Sequence, residues 1–332
     1  MKVSTIPYNS NFCCILADLT YFCKNLFLHK LLTNLFIVVL NALSRLSWSA
    51  LYRISDGLSW LLFSVVNYRQ KVIWQNLRNS FPDKNDQQLR TIARDFHRHF
   101  TDLIVETLKL RRASAQEVQE RLVGDISVID DLYARGRSAV FVLGHRGNWE
   151  LANLFASVTF QHECIVVYKP LSNPTFEEWF RVLRTRFGST MVPMREIYSD
   201  LLKPRTRPYL LFLVNDQSPN PKSAYWTRFL NQDTGVYRGV ESIARKYNLP
   251  VVYADLRRNE ERRGYYSLII NPITDNPAEV PLNGVLEKQI QILERDIVNQ
   301  PGNWLWSHKR WKHQRPAILQ PEQLLEVRQD RE

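Results

Sequence analysis

Apolar residues along this chain follow distinct rhythms, and each rhythm assigns an element. From Leu89 onward, Ile92, Ala93, Phe96, Phe100, Leu103, Ile104 and Leu108 recur at three- and four-residue spacing, which predicts a long amphipathic helix with its stripe towards a core. Further on the pattern changes to short, nearly continuous apolar runs at residues 139–143, 164–168, 209–214 and 250–256, the last interrupted only by Asp255. Runs of that kind are strands buried on both faces. Between and around them, residues 126–135, 150–158, 176–187, 236–247 and 285–299 read as helices, the first of them closed by Gly136. Residues 191–193 form a short extended piece, and residues 265–270 a strand that returns antiparallel after a turn at 259–264. Strands alternating with helices predict an α/β fold with a mixed, mostly parallel sheet flanked by helices.

The stretch 31–66 has another character, because Arg45, Arg53 and Asp56 are its only charges. Its two apolar pieces, 31–46 and 54–66, fall short of the ~20 residues that cross a bilayer comfortably. They run into "NYRQKVIWQNLRNSF", where Arg69, Lys71 and Arg78 mix with Tyr68, Ile73, Trp74, Leu77 and Phe81 as in a basic amphipathic helix at a membrane interface. Residues 31–81 are therefore expected to anchor the protein, either with one spanning segment or lying in the interface; two ordinary buried helices are the alternative. A secretory signal fits badly, since the apolar region starts late and no small-residue cleavage site follows it. If the segment spans, its basic flank puts the rest of the chain on the cytoplasmic side. Residues 1–30 show no period and receive no role, residues 82–313 form the main domain, and residues 314–332 read as a solvated polar tail.

Composition narrows the partners. Forty-four Lys and Arg against 33 Asp and Glu give a formal charge of +11, which favours an anionic surface or ligand. The four cysteines form no CxxC pair, so neither a zinc site nor a disulfide framework is indicated, and a reducing compartment is expected for the catalytic region.

Ligands of open α/β sheets bind beyond the carboxyl ends of the strands. Two polar loops lie there: "GHRGNWE" after residues 139–143 and "NDQSPNPKSAYWTRF" after residues 209–214. His145 and Glu150 are five positions apart, about 140° around a helix, so only a loop brings them together. Gly144 and Gly147 allow that turn. A carboxylate on one ring nitrogen leaves the other free as a general base; on spacing alone His145 could equally cap the following helix. The spacing is not HExxH and lacks a third ligand, so no metal is expected. Asp216 and Gln217 end a strand, as turn residues or aimed at the same edge. Arg184 and Arg186 either bind an anion or line a solvated helix face, and Arg238 and Glu241 either serve a ligand or pair on the surface. His97 and His99, two apart in a helix, point to different sides and read as ordinary helix residues. "WLWSHKRWK" gathers Trp304, Trp306, His308, Lys309, Arg310, Trp311 and Lys312, suited to a membrane interface or an anionic headgroup. A single-strand nucleic-acid platform is its alternative, without an RNP or KH signature.

"GHRGNWE" resembles the HX4(D/E) block of the lysophospholipid-type acyltransferases, in the GHxGNWE form of the lipid A biosynthesis (lauroyl/myristoyl) acyltransferases. "LRTRFGSTMVP", "NDQSP" and "WLWSHKRWK" resemble further family blocks in the same order, and the apolar start running into "YRQKVIWQNLRNSFP" is similar to the family's anchor region. The resemblance covers residues 31–312. It implies a glycerol-3-phosphate-acyltransferase-like fold with an N-terminal membrane-anchoring region, and an acyltransferase domain over residues 82–313. The implied reaction moves a fatty acyl chain from an acyl-carrier-protein or acyl-CoA thioester to a hydroxyl of a lipid A precursor or related glycolipid, in lipopolysaccharide biosynthesis at the cytoplasmic face of the inner membrane.

No cofactor, metal or nucleic acid is implied. His145 is then the base and Glu150 its orienting partner. Backbone N–H groups around Gly147 and Asn148, or an arginine, stabilise the oxyanion, and Arg184 or Arg186 matches the family's active-site arginine. Asp216 and Gln217 face the site, and His308, Arg310 and Trp311 meet headgroup or membrane. No "PEGTR" block is present, and "RFLNQDTGVYRGV" departs from the family's FFGxxxxT form at Asn231, which leaves chain length and acceptor open. The competing readings are transfer to another glycolipid or phospholipid acceptor, a His–Glu hydrolase, and a non-catalytic membrane or nucleic-acid binding protein.

Overall fold

Residues 32–316 are described by the computed structural model; the expectations for residues 1–30 and for most of the tail lie outside them. Residues 32–43 form α1. Ser47 caps α2 (Trp48–Trp60), which runs into a π-helical turn at Leu61–Val65, and α3 (Gln70–Ser80) follows. The polar break before residue 86 acts as predicted: Asn85 and Gln88 exchange side-chain to backbone hydrogen bonds and start the long helix α4 (Asp86–Leu110). Then come α5 (Ala115–Arg121), β1 (Leu122–Gly124), α6 (Ser127–Ala134), β2 (Ala139–Leu143), α7 (Trp149–Thr159), β3 (Glu163–Tyr168), α8 (Pro174–Thr185) and β4 (Thr190–Pro193). The remainder is α9 (Ile197–Leu201), β5 (Tyr209–Val214), β6 (Tyr225–Phe229), β7 (Gln232–Val236), α10 (Gly239–Tyr247), β8 (Val251–Arg258), β9 (Tyr266–Thr274) and α11 (Gly284–Asn299).

Seven strands pair in the order β1-β9-β8-β2-β5-β3-β4, and only β8 and β9 run antiparallel. The predicted mixed, mostly parallel sheet is therefore present. All five residues of β2 are buried, and they divide between two cores. Val140 and Val142 pack on the side of α4, α10 and α11, whereas Ala139, Phe141 and Leu143 pack on the side of α5, α6 and α7. Alternate side chains leave a strand on opposite faces, so an unbroken apolar run at the sheet centre needs helices on both. β2 lies between β8 and β5, with Leu143 paired to Val214. That register brings the loops after β2 and β5 side by side at one edge.

Two expectations change. The loop after β5 contains a hairpin, β6–β7, whose tip residues Leu230 and Asn231 both have positive φ (48° and 63°). Such turns are usually announced by Asn-Gly or Asp-Gly, and "FLNQ" carries neither signal. Because Val236 belongs to β7, the helix expected from residue 236 begins only at Gly239.

Among the described residues no helix is long and apolar enough to cross a membrane. The apolar stretches instead make short helices with one packed and one open side. Ser55 of α2 donates to Asp102 of α4 (2.6 Å), and Phe63 stacks on His97 at 3.7 Å between ring centres. On the open side Leu32, Leu35, Val38 and Val39 of α1, with Trp60, Leu61, Val65 and Val66, are exposed. α3 is tied to the far end of the chain, where the buried Asn76 amide donates to the carbonyls of Trp306 and His308, both at 2.9 Å.

Candidate active site

The paired ends of β2 and β5 dictate the central contact. His145 and Asp216 each lie two residues past the paired Leu143 and Val214, so the two side chains meet. His145 Nδ1 is 2.5 Å from Asp216 Oδ1, and the His145 backbone N–H donates to Oδ2 at 2.7 Å. The Trp304 indole N–H donates to the same Oδ2 at 2.8 Å. Asp216 is only 2% exposed. Burial alone raises a carboxyl pKa, yet His145 and these hydrogen bonds outweigh it and hold Asp216 down to about 2. An ionised acceptor on Nδ1 favours a proton on that nitrogen, and Nε2 lies 3.2 Å from the Gln217 amide nitrogen.

Glu150 does something else. Its carboxylate is bound through both oxygens by Arg184, at 2.6 to 3.2 Å. The orienting partner expected of Glu150 is thus Asp216, because the first turn of α7 carries Glu150 towards α8 while the loop turns His145 towards β5. The two arginines are placed differently. Arg184 pairs with Glu150, whereas the Arg186 guanidinium donates to the Leu110 carbonyl and lies against Phe187.

His145, Glu150, Arg184 and Gln217 share the wall of one cavity of about 520 Å³. Apart from Thr107, the remainder of that wall is apolar, including Leu103, Ile104 and Leu108 of α4, Trp179 and Phe180 of α8, and Phe36 and Leu40 of α1. A volume within ~300–1,000 Å³ and a few convergent polar groups are the usual form of a small-molecule site. Among the described residues no three His, Cys, Asp or Glu side chains are grouped to hold a metal ion.

The sequence profile of the bacterial lipid A biosynthesis acyltransferases matches residues 23–313. The chain belongs to that family. It is also similar to the lipid A biosynthesis lauroyltransferase of Escherichia coli (strain K12), with 23% identity over 285 residues that cover 85% of this chain and 91% of the relative. The protein is accordingly an acyltransferase of lipid A biosynthesis.

Within this family site, several expected residues serve the scaffold. Gly147 has φ +57°, and a Cβ there would come within 2.7 Å of Leu256. Its N–H donates to the Asn303 carbonyl at 3.1 Å, so it is not free to bind an oxyanion. Asn148 caps α7 by accepting from Leu151 N–H, and its amide donates to Glu106 at 2.8 Å. Glu241 is buried against Arg245 and the Asn283 N–H, while Arg238 reaches Asn283; the two do not pair with each other.

Most of the "WLWSHKRWK" stretch, expected at a membrane or headgroup, is packed inside the protein. Trp304 and Trp306 are buried, Trp311 donates to Thr234 at 2.6 Å, and Arg310 is buried. His308 accepts a long 3.4 Å hydrogen bond from the Ser218 N–H, and burial lowers its pKa to about 4, which keeps it neutral. Lys309 and Lys312 alone of its charged groups are exposed. Three supports escaped the sequence altogether: the Trp304 N–H on Asp216, the buried pair of Arg146 with Asp255 (2.6 Å), and Glu106. Burial pushes the Glu106 carboxyl up to about 7, against hydrogen bonds from Tyr266, Asn148 and Tyr52. None of the three stands at a telling spacing from His145.

Asp216→Asn is expected to lower kcat by about 10³ to 10⁴ while the folded protein keeps its far-UV spectrum, because an amide nitrogen facing Nδ1 forces the wrong tautomer. Steady-state kinetics beside Glu150→Gln checks this; a smaller loss for Asp216→Asn than for Glu150→Gln would contradict the assignment of the orienting role.

Proposed function

We propose that the protein transfers a fatty acyl chain from an acyl-carrier-protein thioester to a hydroxyl of a lipid A precursor, with His145 as general base. The carrying observation is His145, held through Nδ1 by Asp216, at the wall of a mostly apolar cavity that also holds the Glu150–Arg184 pair. The cavity suits an acyl chain, and its polar wall suits the reacting carbonyl.

In this mechanism the acceptor hydroxyl takes the position against Nε2 that the Gln217 amide now occupies. Its proton passes to Nε2 as its oxygen attacks the thioester carbonyl carbon, and the carbonyl electron pair moves onto oxygen. Asp216 stabilises the imidazolium that results. Arg184, fixed by two-point pairing with Glu150, is the cationic donor nearest the developing oxyanion. Collapse breaks the C–S bond, and the leaving thiolate recovers the proton from His145. No covalent enzyme intermediate is needed.

The same reading seats the protein on the cytoplasmic face of the inner membrane. Phe36 and Leu40 of α1 line the cavity while Leu32, Leu35, Val38 and Val39 of that helix are open to the outside. A helix with those two faces lies in the interface and passes lipid chains directly to the site.

Purified protein incubated with lauroyl-acyl-carrier protein and a lipid A precursor is expected to give acylated lipid by mass spectrometry; release of free fatty acid with no acylated lipid would contradict transfer. In a flotation assay the full chain is expected to rise with anionic liposomes, and Leu35→Lys/Val38→Lys to remain in the dense fraction. Equal flotation of both would remove α1 from the membrane contact.

A further inference from the structure

Arg310 differs from the other buried arginines. Its side chain is 2% exposed, yet neither Nε nor Nη2 has a hydrogen-bond partner, and no carboxylate lies within ion-pair distance among the described residues. Arg146, equally buried, is held by Asp255 and the Asp296 carbonyl. The face of Phe229 lies 5.9 Å away, and the charge of Asp216, which neither hydrogen-bonds nor ion-pairs with it, favours the cation only from a distance. Burial lowers its pKa to about 10, so it still carries its charge at neutral pH. A desolvated cation without a partner costs stability that the fold does not recover. An unexplained buried donor of this kind points to a missing acceptor.

Its surroundings indicate which acceptor. Arg310 shares a narrow space with Ser218, Trp226, Thr234, Trp311 and Asp233, whose carboxylate is paired with Arg315. Ser218 touches His308, and the preceding Gln217 touches His145, so this space adjoins the reacting centre through the loop after β5. Trp311 also lines an open cleft of about 280 Å³ together with Lys71, Lys309 and Lys312. None of these three lysines makes an ion pair or hydrogen bond among the described residues. A guanidinium fork with three ammonium groups nearby matches a doubly charged tetrahedral anion better than a single carboxylate.

We propose that Arg310 is the receptor for a phosphate group of a substrate, which Lys71, Lys309 and Lys312 draw in through their cleft, with Trp311 as the movable wall between. The space beside Arg310 has no free volume for a water-sized ligand as it stands. Binding therefore turns the Trp311 ring outward and releases its hydrogen bond to Thr234. The inference rests on the transferase reading only in naming the phosphate as a substrate's: the acceptor headgroup or the donor's phosphodiester arm.

Thermal unfolding of the full chain, with and without inorganic pyrophosphate at matched ionic strength, tests the receptor independently of activity. Pyrophosphate is expected to raise the Tm of the unaltered protein and to leave that of Arg310→Met unchanged. Without pyrophosphate, Arg310→Met is expected to melt about 2 °C or more above the unaltered protein, since an unpaired buried charge has gone. Lys309→Ala/Lys312→Ala, at exposed positions, is expected to keep its Tm and to show a weaker pyrophosphate effect. In kinetics, Arg310→Met is expected to raise the KM of a phosphorylated acceptor about tenfold or more and to leave that of the dephosphorylated acceptor at its value in the unaltered protein. A rise confined to the donor KM assigns the same receptor to the donor's phosphate. A lower Tm for Arg310→Met, or an equal pyrophosphate shift in both proteins, would overturn the proposal.

Discussion

The carboxylate of Asp216 is the constraint around which this site is arranged. It is buried, ionised, and filled by three donors: the His145 ring, the His145 backbone and the Trp304 indole. Each donor comes from a different part of the chain. The strand pairing of β2 with β5 sets the first two, and the C-terminal segment supplies the third. Removing any one leaves a buried carboxylate undersatisfied, at a cost of about 1–3 kcal/mol or more. Fold and chemistry are therefore coupled through a single side chain. It is also why Trp304 and Trp306 belong to the core and why Asn76 of α3 grips the carbonyls beside them.

Around that contact, charge and apolar surface are laid out by distance from the base. Arg184 and Glu150 form the next pair on the cavity wall, and beyond them α4, α8 and α1 supply hydrocarbon and rings, with the Thr107 hydroxyl turned to the Leu103 carbonyl. α1 has two jobs in this layout, since one of its sides closes the cavity while the other is open and apolar. On the opposite side of the loop after β5 the character reverses to cationic, with Arg310 buried and Lys309 and Lys312 exposed.

Much of this was legible in the chain. Nearly continuous apolar runs marked β2, β3, β5 and β8, because a strand buried on both faces tolerates a polar residue only where it is paired, as Asp255 is with Arg146. The 3–4 spacing gave α4, and the loop after β2 gave His145. What escaped depends on non-local pairing. A histidine and a glutamate in one heptapeptide look like partners, whereas the real partner of His145 is 71 residues away and became visible only through the strand order. The hairpin β6–β7 was hidden because its turn lacks the usual residues. The tryptophans near the C-terminus were assigned to an interface because aromatic and basic residues together have that habit. Their burial reflects the need of Asp216 and the core for an indole N–H and ring volume, which a linear pattern does not carry.

The most direct measurement of the central claim is nitrogen-15 NMR of the His145 ring in the unaltered protein, Asp216→Asn and Glu150→Gln. The account expects a protonated Nδ1 with a strongly deshielded proton and an unprotonated Nε2 near neutral pH, a pattern kept in Glu150→Gln and lost in Asp216→Asn. A ring whose Nδ1 proton survives Asp216→Asn but disappears in Glu150→Gln would contradict it.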